Sequence, residues 1–230
     1  DALLTAGAIY KKQGKISQQI AMLEQFIKQY KKDADKIPAV IEAYAEVGDS
    51  YGDLAKASKA PAEVSRYQKA QVASYKAAVA LYSPNLSSPL AAFFAAKAQL
   101  AIEKSEQESF KKMTINGRSG KAQADQLTAM MKKLAELSAK NEAIIKAYAQ
   151  PVWNAESLYR IGALYEHLAR TMIKAPCPAD VEAIDDYACD EYTVLLEDKA
   201  AVLEGKSLSA YVQAYDIAMS AYDARLIWLE

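Results

Sequence analysis

The sequence predicts an all-α fold of paired antiparallel helices, about nine in number. Three observations carry that prediction. Ala, Leu, Lys, Glu and Gln, among the strongest helix formers, fill the long stretches. Apolar residues recur at three- and four-residue spacing, and no stretch alternates apolar with polar as a half-buried strand would. Gly (8) and Pro (7) are few among 230 residues, too few for the turns of a sheet-rich fold of this length.

The first pair covers about residues 1–13 and 16–32, with Gly14 as the break. In its second member Ile16, Ile20, Met22, Leu23, Phe26, Ile27 and Tyr30 line one face. Pro38, suited to a first turn, opens a third helix over about 38–58. Lys59-Ala60-Pro61 separates it from a fourth that reaches about Tyr82. The loop Ser83-Pro84-Asn85-Leu86-Ser87-Ser88-Pro89 follows, with Ser88 as cap and Pro89 as first-turn residue of a fifth helix ending near Thr114. Asn116-Gly117-Arg118-Ser119-Gly120 reads as a turn, then a long helix runs over about 121–150 until Pro151 ends it. Another covers about 153–174, stopped by Pro176-Cys177-Pro178. The remainder from Asp180 is helical, divided at a weak point, Gly205-Lys206-Ser207. The whole reads as one helical region, 1–230, with approximate units 1–35, 36–84, 88–150 and 151–230. Both ends fall inside apolar helix patterns, Ala2-Leu3-Leu4 and Leu226-Ile227-Trp228-Leu229, as ends cut from a longer polypeptide would.

Charge is balanced overall and uneven locally. The formal net charge of −1 supplies no global field to recruit nucleic acid or an anionic membrane. No apolar run approaches the ~18–20 residues of a membrane span. Between Asp180 and Glu204, Asp180, Glu182, Asp185, Asp186, Asp190, Glu191, Glu197, Asp198 and Glu204 face Lys199 alone, whereas the first pair is rich in lysine from Lys11 to Lys36. These are either solvated faces of opposite sign or a docking surface.

A short pattern recurs. Leu3-x3-Gly7-x2-Tyr10-x3-Gly14 returns as Tyr44-x3-Gly48-x2-Tyr51 and as Leu158-x3-Gly162-x2-Tyr165. A small residue lets a partner helix approach closely, and a tyrosine one turn later fills the gap to the next helix. This resembles the first helix of a tetratricopeptide repeat. In the first unit Gln19, Leu23 and Phe26 occupy the second-helix packing places, where the family usually has small residues at the first and third. In the second, Ala70 or Gln71, Tyr75, Ala78 and Pro84 lie farther from the glycine than a 34-residue period gives, so both helices must be lengthened. The segment 88–150 matches only as helical hairpins. The resemblance implies a right-handed α-solenoid with some elongated helices. Such long, irregular repeats look most like the tetratricopeptide proteins of bacterial cell envelopes, including delta-proteobacterial gliding and surface machinery.

Catalytic constellations are weak by comparison. His167 is the single histidine, which rules out paired-His metal sites and leaves one candidate base for a triad, beside Glu156, Tyr159 and Glu166. Ordinary surface or inner-groove residues are the better reading of that cluster. Asn116 to Lys121 lacks the spacing of a phosphate loop and the strand before it. The acids Asp185, Asp186, Asp190 and Glu191 lack the ligand order and central glycine of a calcium loop, and suit a helix start. The lysine pairs Lys11/Lys12, Lys31/Lys32, Lys111/Lys112 and Lys132/Lys133 lack the aromatic interleaving of a nucleic-acid groove. No enzyme activity and no cofactor follow from the sequence.

Tyrosine is abundant, 15 against 4 Phe. Tyr187, Tyr192, Tyr211, Tyr215 and Tyr222 gather near the end, and Tyr211, Tyr215 and Tyr222 share a helical stripe with Leu208 and Met219 nearby. They are inter-helix packing with the hydroxyls at the rim, or an exposed contact surface. Cys177 and Cys189 present a similar choice. Twelve residues of straight helix would hold them ~18 Å apart at 1.5 Å per residue, far beyond the ~7 Å a disulfide allows. Either the helix from Asp180 is continuous and both thiols are free, or the segment folds back and a bridge clips it. The prolines flanking Cys177 favour the bridge, which would place the protein outside the cytosol; with the resemblance, that implies the periplasm or cell envelope, the alternative being the cytoplasm.

The resemblance implies a non-catalytic scaffold that binds a partner's peptide or domain. Its inner-groove positions fall here on Leu4, Ala8, Lys11 and Lys12; on Glu42, Ala45, Asp49 and Asp53; and on Glu156, Tyr159, Ala163, Glu166 and His167. Leu4 and Ala8 stand where the family's chaperone-tail clamp needs Lys and Asn, which argues against that subclass. The competing readings are a purely architectural segment stacked on neighbouring repeats of the same polypeptide, and an accessory helical domain of an enzyme lying beyond this sequence.

Overall fold

A computed structural model describes residues 2–185 and 187–227, with side chains to residue 222. Among the described residues the chain is all-α, with nine α-helices and no strand. They are α1 (Ala2–Lys12), α2 (Ile16–Tyr30), α3 (Ile37–Ala57), α4 (Pro61–Leu81), α5 (Pro89–Phe110), α6 (Gly120–Tyr148), α7 (Pro151–Ile173), α8 (Ala179–Glu182) and α9 (Ala188–Ile227). Asp1, Asp186, Trp228 and Leu229, which entered the sequence reading, lie outside the described residues, as do the side chains of Leu226 and Ile227. No described helix is long and apolar enough to cross a membrane. The helices gather into two compact units, Asp1–Glu103 with Ala147–Gln150, and Lys104–Lys146 with Pro151–Glu230.

In the first unit the apolar stripe of α2 is buried as its spacing requires. Ile20, Leu23, Phe26 and Ile27 pack with Val40, Ala43 and Val47 of α3. Gly14 has φ of +69°, the left-handed turn that joins α1 to α2 and that glycine adopts without strain. A Cβ on Gly48 would come within 2.5 Å of the Tyr75 ring on α4, and one on Gly52 would collide with the Gln71 amide. As the chain advances along α3, its contacts retreat along α4. The pair is antiparallel, drawn close by missing side chains. Tyr75 donates 2.7 Å to Asp49, and Lys97 of α5 pairs with the other oxygen of that carboxylate. Ser88 caps α5, its hydroxyl accepting from the Ala91 amide at 3.3 Å.

In the second unit Phe110, Ile115, Met130, Leu134, Leu164, Leu168 and Leu196 form the core. α5 stops at Phe110 rather than near Thr114, because Met113 turns back to bond the Phe110 carbonyl and delivers Ile115 to this core. Buried Gln123 is satisfied on every side. Its amide donates to Gly117 and Pro176 carbonyls at 2.8 and 2.9 Å, and its oxygen accepts from Tyr192 at 2.6 Å. Pro151 opens α7 after Ala149 ends α6 with φ of +49°.

The last segment departs from the expected division. α9 passes through Gly205 unbroken, and the interruption falls instead between α8, which ends at Glu182, and α9, which starts at Ala188. Gly205 is exposed with nothing near it, and its loss of roughly 1 kcal/mol relative to alanine is too small to break a helix docked along α7. The Asp185 carboxylate accepts from the Tyr187 and Ala188 amides, each at 2.8 Å, and so caps α9. That break folds the chain back and brings the Cys177 and Cys189 Cα atoms to 5.6 Å, joined by a disulfide. Among the described residues neither thiol is free.

Candidate functional site

The first turns of α7 and the C-terminal half of α9 build an open concavity of about 630 Å³. Val152, Trp153, Glu156 and Tyr159 recur at helical spacing on α7 and line one wall; Tyr211, Ala214, Tyr215 and Ala218 line the other. The helices are antiparallel, so α9 meets the start of α7 with its own distal half. Gly162 fixes the close approach, since a Cβ there would lie 2.8 Å from the Tyr211 ring and 3.2 Å from the Ser207 carbonyl oxygen. Ser207 donates 2.9 Å to the Gly162 carbonyl, tying the same crossing.

Tyr211 is the pivot. Its ring lies 5.3 Å from that of Tyr159, and its hydroxyl donates 2.6 Å to Glu166, which also pairs with Arg170 at 2.5 Å. Burial, then the Glu166 hydrogen bond and charge, push the phenol well above its ordinary range. Tyr159 and Tyr215, in contrast, are 55% and 62% exposed. Glu156 accepts from Arg160 at 2.7 Å on the rim. The tyrosine stripe read from the sequence therefore splits: Tyr211 packs on α7 while Tyr215 and Tyr222 face outward.

Of the groove positions inferred from the sequence, Glu156, Tyr159 and Glu166 come together here. His167 points elsewhere, with its Nε2 3.3 Å from the Met113 carbonyl and its ring 5.3 Å from Phe110. In the first unit Lys11 pairs with Glu46 at 3.0 Å, and Glu42 sits half-buried beside that pair. Burial first, then the Glu46 charge, raise the Glu42 carboxyl above its usual value, with Lys11 opposing. Asp49 is engaged by Tyr75 and Lys97 within the fold, Asp53 pairs with Lys56 at 2.9 Å, and Lys12 is exposed. Sequence reasoning did not single out Val152, Trp153, Ala214 or Ala218; the only local signal was an aromatic residue one turn and a half before Tyr159 on α7. Among the described residues no cluster of His, Cys, Asp and Glu could hold a metal ion. No protein-family model, characterised protein or solved structure matches the chain.

Proposed function

We propose that this protein is a non-catalytic scaffold of tetratricopeptide type, and that it binds a partner protein on the α7–α9 surface. The observation that carries the proposal is the concavity itself, which presents Tyr159 and Tyr215 to solvent over an apolar floor. Aromatic side chains of this kind supply large contact area at low entropic cost, and they are enriched at protein interfaces.

Contacts between alternate helices support the repeat architecture. α1 meets α3 through Lys11 and Glu46, and α3 meets α5 through Asp49 and Lys97. The end of α5 meets α7 through Phe110 and His167. Serial nesting of helix pairs in a right-handed α-solenoid produces this succession. The Cys177–Cys189 bridge supports an oxidising compartment such as the periplasm or cell envelope.

Affinity capture from the native cell, with wild type and the Tyr159→Ser/Tyr215→Ser variant side by side, tests the proposal. Loss of a specific partner with helicity and melting temperature preserved is the expected result. Equal recovery from both proteins would remove this surface from the function.

A further inference from the structure

Beyond the concavity, α9 carries a second feature. Ala201, Gly205, Leu208, Val212, Tyr215, Met219 and Tyr222 follow one another at alternating steps of four and three residues. That is the spacing of a coiled-coil seam, in which each such position supplies a knob for a hole in a facing helix. The seam is turned away from α7 except at Tyr215, which also lines the concavity. Leu208, Val212 and Tyr222 are 64%, 49% and 58% exposed, and nothing lies within 4 Å of a Cβ built on Gly205. A 3.5-residue period selects a helical occupant rather than an extended one, over a length of ~30 Å at 1.5 Å per residue.

Charge decides which helix. Within the seam's length the flanking positions carry Glu204 on one side and Asp216 on the other, among the uncharged Val202, Ser209, Tyr211 and Ala218, and Glu197 and Asp198 stand just before it. The two lysines of this stretch, Lys199 and Lys206, fall on the opposite side, and Lys206 lies over the Tyr165 ring of α7 at 5.6 Å. A second copy of this chain would bring acidic flanks of its own and no base to meet them. A helix with an aliphatic seam and Lys or Arg beside it would meet opposite charge at each flank.

We infer that α9 is a docking helix for a basic amphipathic helix of a partner protein, laid along the seam from Ala201 to Tyr222. The inference rests on the scaffold reading and names the class of partner. Tyr215 belongs to both surfaces, so the docked helix borders the concavity.

Two three-heptad peptides test it, each with Leu at the seam positions and either Lys or Glu at the flanks. The Lys peptide binds about tenfold more tightly than its Glu twin, and Leu208→Ala/Val212→Ala weakens it about tenfold at unchanged net charge and helicity. Equal binding of the two peptides, or full binding by the double variant, overturns the inference. So does concentration-dependent dimerisation of the protein that the double variant abolishes, since the seam would then be filled by a second copy. Tyr159→Ser, which leaves the seam intact, separates the two claims: lost partner capture with no peptide selectivity retains the scaffold and defeats the seam. Selective peptide binding with partner capture indifferent to Tyr159→Ser supports the seam and defeats the concavity.

Discussion

Tyr211 of α9 lies across Gly162 of α7 so closely that a methyl group on Gly162 would come within 2.8 Å of the ring. The ring cannot swing aside without surrendering its hydroxyl's 2.6 Å bond to Glu166. Nor can the Ser207 carbonyl, 3.2 Å from the same point, move without moving α9. Gly48 stands in the same relation to Tyr75, which is held by Asp49. Helix propensity alone says that glycine to alanine stabilises by about 1 kcal/mol. At Gly162 and Gly48 overpacking reverses the sign, and Gly162→Ala and Gly48→Ala each destabilise by about 1–3 kcal/mol in urea unfolding. Gly205→Ala, with open space around it, stabilises by up to about 1 kcal/mol.

Asp49 was expected to face a partner, and the structure gives it an internal task. Removing its carboxylate takes a hydrogen-bond partner from the Tyr75 hydroxyl and the ion-pair partner from the Lys97 ammonium at once. Asp49→Ala therefore lowers unfolding stability by about 1–3 kcal/mol. Lys12→Glu, at an exposed position, shifts it by no more than about 0.5 kcal/mol.

The Cys177–Cys189 bridge closes a short loop around the break between α8 and α9. Chain-entropy arguments assign such a closure about 3 kcal/mol. Reduction destabilises the protein by that order, and amide exchange quickens first near α8 and the start of α9. Alkylation of the unreduced, unfolded protein followed by intact mass measurement finds neither cysteine modified.

Three tyrosines predict the response to alkali. Burial first raises Tyr75 and Tyr211 well above the ordinary phenol range, and pushes Tyr148 up to about 12. Once unfolded, each would release its proton near pH ~10. The stability they confer is thus complete below about pH 10 and is lost as pH rises from there through the folded values. Absorbance titration shows a late tyrosine step coincident with loss of helicity, and Tyr148→Phe reduces its amplitude.

Much of this architecture was legible because its causes are local. Ile20, Leu23, Phe26 and Ile27 announce α2 by spacing, Ser88 and Pro89 announce the start of α5, and Gly7, Gly48 and Gly162 mark close approach by the tyrosine three residues on. The fold-back before α9 was legible only through Cys177 and Cys189, whose bridge requires it, and the position of the break was not. Ala183 and Ile184 are competent helix residues, and what stops them is a disulfide and an Asp185 cap whose strength depends on the fold around them. Gly205 misled for the converse reason: a weak helix residue is carried by a long helix packed on α7. The concavity joins Trp153 to Tyr215, residues far apart in sequence, and nothing in either helix alone specifies the antiparallel register that Gly162 and Tyr211 set.

A photo-activated cross-linker placed in turn at Tyr159, Tyr215 and the exposed Lys76 of α4, in the native cell, addresses the scaffold claim most directly. The account predicts one shared protein adduct from positions 159 and 215, absent from position 76. No adduct at 159 and 215, or the same adducts from all three positions, would contradict it.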